Sequence, residues 1–198
     1  MPVIGAIGRL VASLILAAVV VGCAGSPIPV TSFDPSSPCT TDGRQPGAYP
    51  DLEALLPPDY QGIKPTSVDS GRHCTKDALG TLATAGITGV RFAGATWGLG
   101  GTTGLSFAVF AADGLTASEM IDFYGAGAQA NSKTDTLQAV DTVVAGRPAR
   151  RLDVLQSDGS AHSIVAWPSK TAGIIDVLLA TDLGDTKVLA ALTELSAR

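Results

Sequence analysis

Aromatic residues make up only 5% of this 198-residue chain, and it holds two histidines, three cysteines and five lysines. So few aromatics leave little with which to stack against bases or sugars. Thirteen basic against eighteen acidic side chains give a net charge of −5. An acidic chain gains nothing from counterion release on a phosphate backbone, so nucleic acid is not an expected partner. No G-x-S-x-G, H-E-x-x-H or S-x-x-K motif accompanies His73 and His162, so no nucleophile or catalytic metal arrangement is recognisable. Ser163 adjoins His162, but neighbours on a strand point to opposite faces and cannot act as a dyad. No cofactor is expected. Nor does any apolar run suffice to span a bilayer. The longest, Leu10–Val21, has 12 residues, roughly 18 Å of helix against a ~30 Å hydrocarbon core.

That short run has another use. Arg9 precedes it and small residues follow it, which is the layout of a signal peptide. The run closes on Val20-Val21-Gly22-Cys23, which resembles the bacterial lipobox. The resemblance implies that the peptide of residues 1–22 is cut away, that Cys23 carries a diacylglyceryl thioether, and that a further palmitate-type chain can acylate the new N-terminus. The protein would then sit outside the cytoplasm, held on the outer face of the cytoplasmic membrane. A buried methylene contributes about 0.8 kcal/mol, so two or three chains make a lasting anchor where one would not. The alternative is a plain secretion signal with a cysteine near its end. The wealth of alanine, glycine and valine resembles that of high-GC actinobacterial proteins.

With Cys23 lipidated, Cys39 and Cys74 remain as an even pair in an oxidising compartment. They are the expected disulfide, closing a loop of 36 residues. A metal site made from both thiols and His73 would lack a paired C-x-x-C element and a fourth ligand.

Residues 23–50 are dominated by Pro, Ser, Gly and Thr without helical or alternating period. We read 24–38 as a tether and 39–50 as a loop drawn in by the disulfide. A single folded domain is expected over 51–198. It opens on a short helix, with Asp51 as N-cap and Pro57 ending it. A strand is expected at 63–68 and a helix over 75–85, with Gly86 at its exit. Strands at 90–97 and 105–111 form a hairpin around Gly98-Leu-Gly-Gly-Thr-Thr-Gly104. That loop is not a phosphate cradle, because it lacks G-K-[ST] and Thr103 stands where G-x-G-x-x-G needs glycine. Thr116-Ala-Ser-Glu119 is a capping box opening a core-facing helix, with Leu115 and Met120 as its staple. Strands follow at 136–145, 149–156, 162–167 and 174–181. The last is almost wholly apolar, as suits a central strand covered on both faces. A helix over 183–196, capped by Asp182, ends the chain. Hairpin connections dominate, so the fold class is α+β, a mostly antiparallel sheet with helices packed on it.

The stretch from Val143-Val-Ala-Gly-Arg-Pro-Ala to the last helix resembles the C-terminal half of the PsbP-like α-β-α sandwich, a fold shared by some mycobacterial Lpq-type envelope lipoproteins. The opening Asp51-Leu-Glu-Ala-Leu-Leu-Pro-Pro is similar to the start of secreted bacterial proteins of unknown function. Both resemblances imply a fold and an envelope address and carry no catalytic motif.

Five residues stand out as candidates for ligand or partner contact. Asp176 interrupts the apolar strand 174–181, and a buried carboxylate must be paired or protonated. Arg150 or Arg151 could serve it, or it could face solvent at a strand end. Arg147, Arg150 and Arg151 form the basic cluster, which alternation splits between two faces; solvated strand ends are the plain reading, and anionic headgroups or an acidic partner the functional one. Trp97 and Trp167 end their strands, where they either fill the core or line a groove for an apolar or sugar ligand. Three functions fit this inventory. The first is a non-catalytic binding module that meets an envelope protein. The others are a carrier of a lipid or small apolar ligand, and, with least in its favour, a cell-wall hydrolase joining His162, Asp176 and a hydroxyl.

Overall fold

A computed structural model describes residues 33–197. Eight strands form one sheet: β1 Gly43–Gln45, β2 Ser67–His73, β3 Val90–Gly100, β4 Thr103–Ala111, β5 Thr134–Val144, β6 Arg147–Gln156, β7 Ala161–Pro168 and β8 Ile174–Thr181. The spatial order is β1-β2-β3-β4-β8-β7-β6-β5 and every neighbour is antiparallel. The chain builds outward to β4, crosses to the far edge, and returns by hairpins so that β8 closes the middle. Five helices pack on this sheet: α1 Pro50–Glu53, α2 Lys76–Leu79, α3 Thr81–Thr84, α4 Ala117–Ala130 and α5 Asp185–Ser196. Residues 1–22, read from the sequence as a signal peptide, and Cys23 lie outside the described residues.

Alternation along the strands sends side chains to two separate cores. One face buries Trp97, Phe107, Val109, Trp167 and Leu178 beneath α1 and α5. The other buries Phe92, Phe110, Ile164 and Val177 beneath α2, α3 and α4. β8 is nearly continuous in apolar residues because it serves both cores.

α4 begins as its residues dictate. The Glu119 amide donates to Thr116 Oγ1 at 3.2 Å and the Thr116 amide donates to Glu119 Oε2 at 2.7 Å. Met120 and Ile121 then turn fully into the core. Thr116→Ala should cost about 1 kcal/mol through the lost cap. A shift of the urea midpoint with unchanged slope measures it, and an unmoved midpoint would contradict the role given to this cap.

Several boundaries differ from the sequence reading. The helix expected over 75–85 is broken into α2 and α3 at Gly80, whose φ of +51° a helix cannot continue through. α1 starts on Pro50 after Tyr49, so Asp51 lies inside the first turn and is no cap. α5 starts after Gly184; Asp182 adopts φ +52° and its Oδ1 accepts from the Ala161 amide, so it ends β8 and does not cap the helix. The strand expected at 63–68 runs instead from Ser67 to His73. Its buried members, Ser70 and Arg72, are polar, which hid the strand from a hydropathy pattern.

Residues 33–50, read as tether and loop, supply β1 and three core side chains, Phe33, Ala48 and Tyr49. Arg72 holds this segment down. It is 2% exposed and donates to the carbonyls of Ser37 (2.7 Å) and Thr41 (3.0 Å) and to Ser37 Oγ (3.0 Å), with Phe33 beneath its guanidinium. β1, the edge strand at this end of the sheet, is three residues long.

Candidate functional site

The disulfide Cys39–Cys74 is formed, with Cα atoms 5.2 Å apart. Asp42 secures its far end by accepting from the amides of Cys74 (2.6 Å) and Thr75 (2.9 Å) and from the Thr75 hydroxyl (2.5 Å). Burial works against the charged Asp42, yet these donors prevail and hold its carboxyl below the usual carboxylate range. His73, beside the disulfide, stacks on Phe92 with centroids 4.9 Å apart, and burial lowers its basicity. No group of three or more metal-ligating side chains occurs among the described residues.

Trp97 and Trp167 share a face but not a groove. In the strand registers Trp97 aligns through Leu105 with Ala180, whereas Trp167 aligns with Asp176, four residues along β8. That separates them by roughly 13 Å along the strands alone. Both are fully buried. Trp97 donates from Nε1 to the Ile63 carbonyl at 2.9 Å and meets the edge of Tyr60. Trp167 packs on Phe107. Both indoles thus serve as core.

Asp176 takes the position that alternation predicted, on the same face as Ile174 and Leu178, and is 7% exposed. Its cation is a different one. Arg150 points to the other face, with Nε 3.3 Å from Asp141 Oδ1 but in no aligned hydrogen bond. Arg151 reaches toward α5, donating to Asp153 (2.9 Å), Ser163 (3.2 Å) and Asp185 (2.5 Å). The charge near Asp176 is Arg147, itself bonded to the carbonyls of Pro168 (2.7 Å) and Ser196 (3.3 Å). Burial pushes the Asp176 carboxyl up to about 6, against the opposing pull of Ser169, Arg147 and Trp167. The Trp167 N–H lies on the carboxyl's side yet makes no hydrogen bond of acceptable geometry. The pair is an imperfectly satisfied polar contact inside the core.

His162 belongs to the other face. Its ring nitrogens lie 3.0 Å from Gln156 Nε2 and 3.2 Å from Thr181 Oγ1, and burial lowers its basicity. Val154 and Ile164, which share its alternation, line the core beneath α4. Asp176 faces the opposite core, so the sheet separates the two groups that a hydrolytic site would need to join.

What the site residues leave free is an edge. β5 has 11 residues and β6 as its sole strand neighbour among the described residues. Most of its side chains are exposed on both faces, including Val140 at 38% and Val143 at 68%, and Leu155 of β6, opposite Thr136 near the start of β5, is 41% exposed. The two-residue turn Ala145-Gly146, both at positive φ, joins β5 to β6. Such a turn makes Val144 and Arg147 a hydrogen-bonded pair, and alternation then directs the backbone groups of Leu137, Ala139, Asp141 and Val143 away from β6. The edge carries neither Pro nor Lys, and its one irregularity lies at its start, between Thr134 and Thr136. Natural edges of this length are usually blunted by such devices. A strand was expected from the sequence at 136–145; that it would lie outermost was not.

Comparison with protein-family models, with curated proteins and with solved structures finds no match to this chain.

Proposed function

We propose that this protein is a lipid-anchored, extracytoplasmic binding module that engages its partner through the open edge of β5, without catalysis of its own. The observation that carries the proposal is that edge: four outward N–H and four outward C=O groups, flanked by exposed Val140, Val143 and Leu155. Adding a strand to a free edge draws affinity from the main chain and specificity from alternate side chains. The other polar features are engaged within the fold. Arg150 and Arg151 sit in ion pairs, Asp176 is held beneath the helices, and the two histidines are packed away.

The address rests on the lipobox-like Val20-Val21-Gly22-Cys23, and the Cys39–Cys74 bridge accords with an oxidising compartment. None of the described helices is long and apolar enough to cross a membrane, so the acylated Cys23 would supply the attachment. Within this reading the fold is of the PsbP-like kind seen in envelope lipoproteins, supported by the run from Val143 through the last helix.

Fractionation tests the address. The wild-type chain should stay with membranes through a high-salt wash, and Cys23→Ser should release it to the soluble fraction. A Cys23→Ser protein that remains membrane-bound would refute the anchor.

A further inference from the structure

We infer that the β5 edge pairs with the β5 edge of a second copy of this chain, antiparallel about a twofold axis through Val140, so that two eight-stranded sheets join into one. This inference rests on the reading of β5 as the binding edge and names its occupant.

The first argument is the asymmetry of the two edges. β1 is only three residues long, and Arg72 of the neighbouring strand holds the segment before it against one face of the sheet. It offers no template, so edge-to-edge growth of β5 onto β1, which would give open filaments, is closed off. β5 can meet only another long edge. On a second copy that edge is β5 itself, and an isologous contact of this kind closes as a dimer.

The second argument is register. In an antiparallel twofold pair, residue i faces residue S−i, and side chains stay on the same side only where S is even. Centring on Gln138 would set Asp135 against Asp141, and centring on Asp141 would set that carboxylate against its own copy; like charges directly opposite are destabilising. Centring on Ala139 would set Leu137 against Asp141. Centring on Val140 sets Val140 against Val140 and Leu137 against Val143, and places Asp141 opposite Ala139. That register unites the leucine and the central valines of β5 with apolar partners and leaves no carboxylate facing a carboxylate. Arg150 already attends each Asp141 from β6.

The third argument is the backbone. The outward groups of Leu137, Ala139, Asp141 and Val143 fall opposite the same four of the copy, so 139 meets 141 and 137 meets 143 as hydrogen-bonded pairs. Val140, whose own amide faces β6, becomes a non-hydrogen-bonded pair with its copy. Cα atoms in such pairs are about 4.5 Å apart, within the roughly 4.4–6.8 Å that a disulfide spans.

This last point gives the test. Full-length protein carrying Cys23→Ser, so that no other thiol competes, is purified in detergent with one added cysteine and mildly oxidised. Val140→Cys should give a covalent dimer as the main product. It should form roughly a hundredfold faster than with Asp113→Cys, an exposed turn position off the edge, because paired strands hold the thiols at millimolar effective concentration. Gln138→Cys and Thr142→Cys should each fail to link with themselves and link with each other when mixed. Val140→Lys, which sets two ammonium groups face to face, should turn the dimer into monomer in sedimentation without altering the near-ultraviolet circular dichroism. A Val140→Cys protein that is folded but no faster to link than Asp113→Cys overturns the self-pairing. If Val140→Cys in the chain that keeps Cys23, cross-linked in native membranes, then captures a different chain, the second copy is wrong and the binding edge stands. If it captures nothing and the outward amides exchange freely with solvent, both readings fall.

Discussion

Replacing Cys39 and Cys74 together by serine is expected to lower unfolding stability by up to about 4 kcal/mol, the chain-entropy figure for a 36-residue loop. For a protein of this size that corresponds to roughly 8–16 °C in Tm. Loop entropy is only part of the reason. The bridge joins the segment before β1 to the end of β2, and through it the Asp42 bonds to Cys74 and Thr75 and the Arg72 bonds to Ser37 and Thr41 act on a segment already brought close. Opening the bridge frees residues 33–45 to leave the edge, and Phe33 and Tyr49 lose their cover. Reduction of the wild-type protein should give the same drop. A Tm that does not move on reduction, with two free thiols shown by mass, would mean that the strap holds without its bridge.

The second large effect concerns Asp176. Its carboxyl stands near 6 in the folded protein against 3.8 for the ordinary group, and burial is the main cause. The folded state therefore holds a proton that the unfolded state has already released between pH 3.8 and 6. The sign follows from linkage: where the native state binds more protons, stability falls as pH rises. The stability contributed by protonated Asp176 is fully present below pH 3.8 and lost as pH rises through about 6. The rise from 3.8 to about 6 corresponds to about 3 kcal/mol. Asp176→Asn preserves the shape and removes the charge. It should raise the unfolding free energy at pH 7–8, read from urea titrations, by up to that figure and leave stability near pH 4 little changed. Subtracting the two proteins' pH curves isolates this group from Asp42 and Asp158, whose depressed values act in the opposite direction at lower pH. A difference curve flat between pH 4 and 7 would refute a buried, desolvated Asp176.

Much of the local structure was legible in the residues. The Thr116 capping box, the hairpin turns and the apolar run of β8 state their roles within a few positions of themselves, because capping, turn geometry and burial on both faces are local or periodic demands. The alternation that puts Arg150 and Arg151 on opposite faces and Asp176 beside Ile174 and Leu178 is local in the same way. The pairing of Cys39 with Cys74 followed from parity once Cys23 was set aside. Where the sequence misled, a distant partner had changed the cost of burial. β2 carries Ser70 and Arg72 inward because the Tyr49 amide and the carbonyls of Ser37 and Thr41 satisfy them, and no hydropathy pattern encodes a donor or acceptor that lies more than twenty residues away.

The sequence by itself determined the α+β class, the antiparallel hairpins and the side that residues such as Asp176, Arg150 and Arg151 face. These depend on periods of 2 and 3.6 residues and on turns that need particular φ values. Only the tertiary structure decided the strand order. It placed β8 in the middle and β5 outermost, put Arg147 as a charge near Asp176, and set His162 and Asp176 on opposite sides of the sheet. It also separated the two tryptophans along the sheet and left one long edge, β5, opposite a three-residue one, β1. Those outcomes turn on which strands meet after the chain crosses from β4 to β5. That choice is made by the packing of two cores against one sheet, and no window of neighbouring residues contains it.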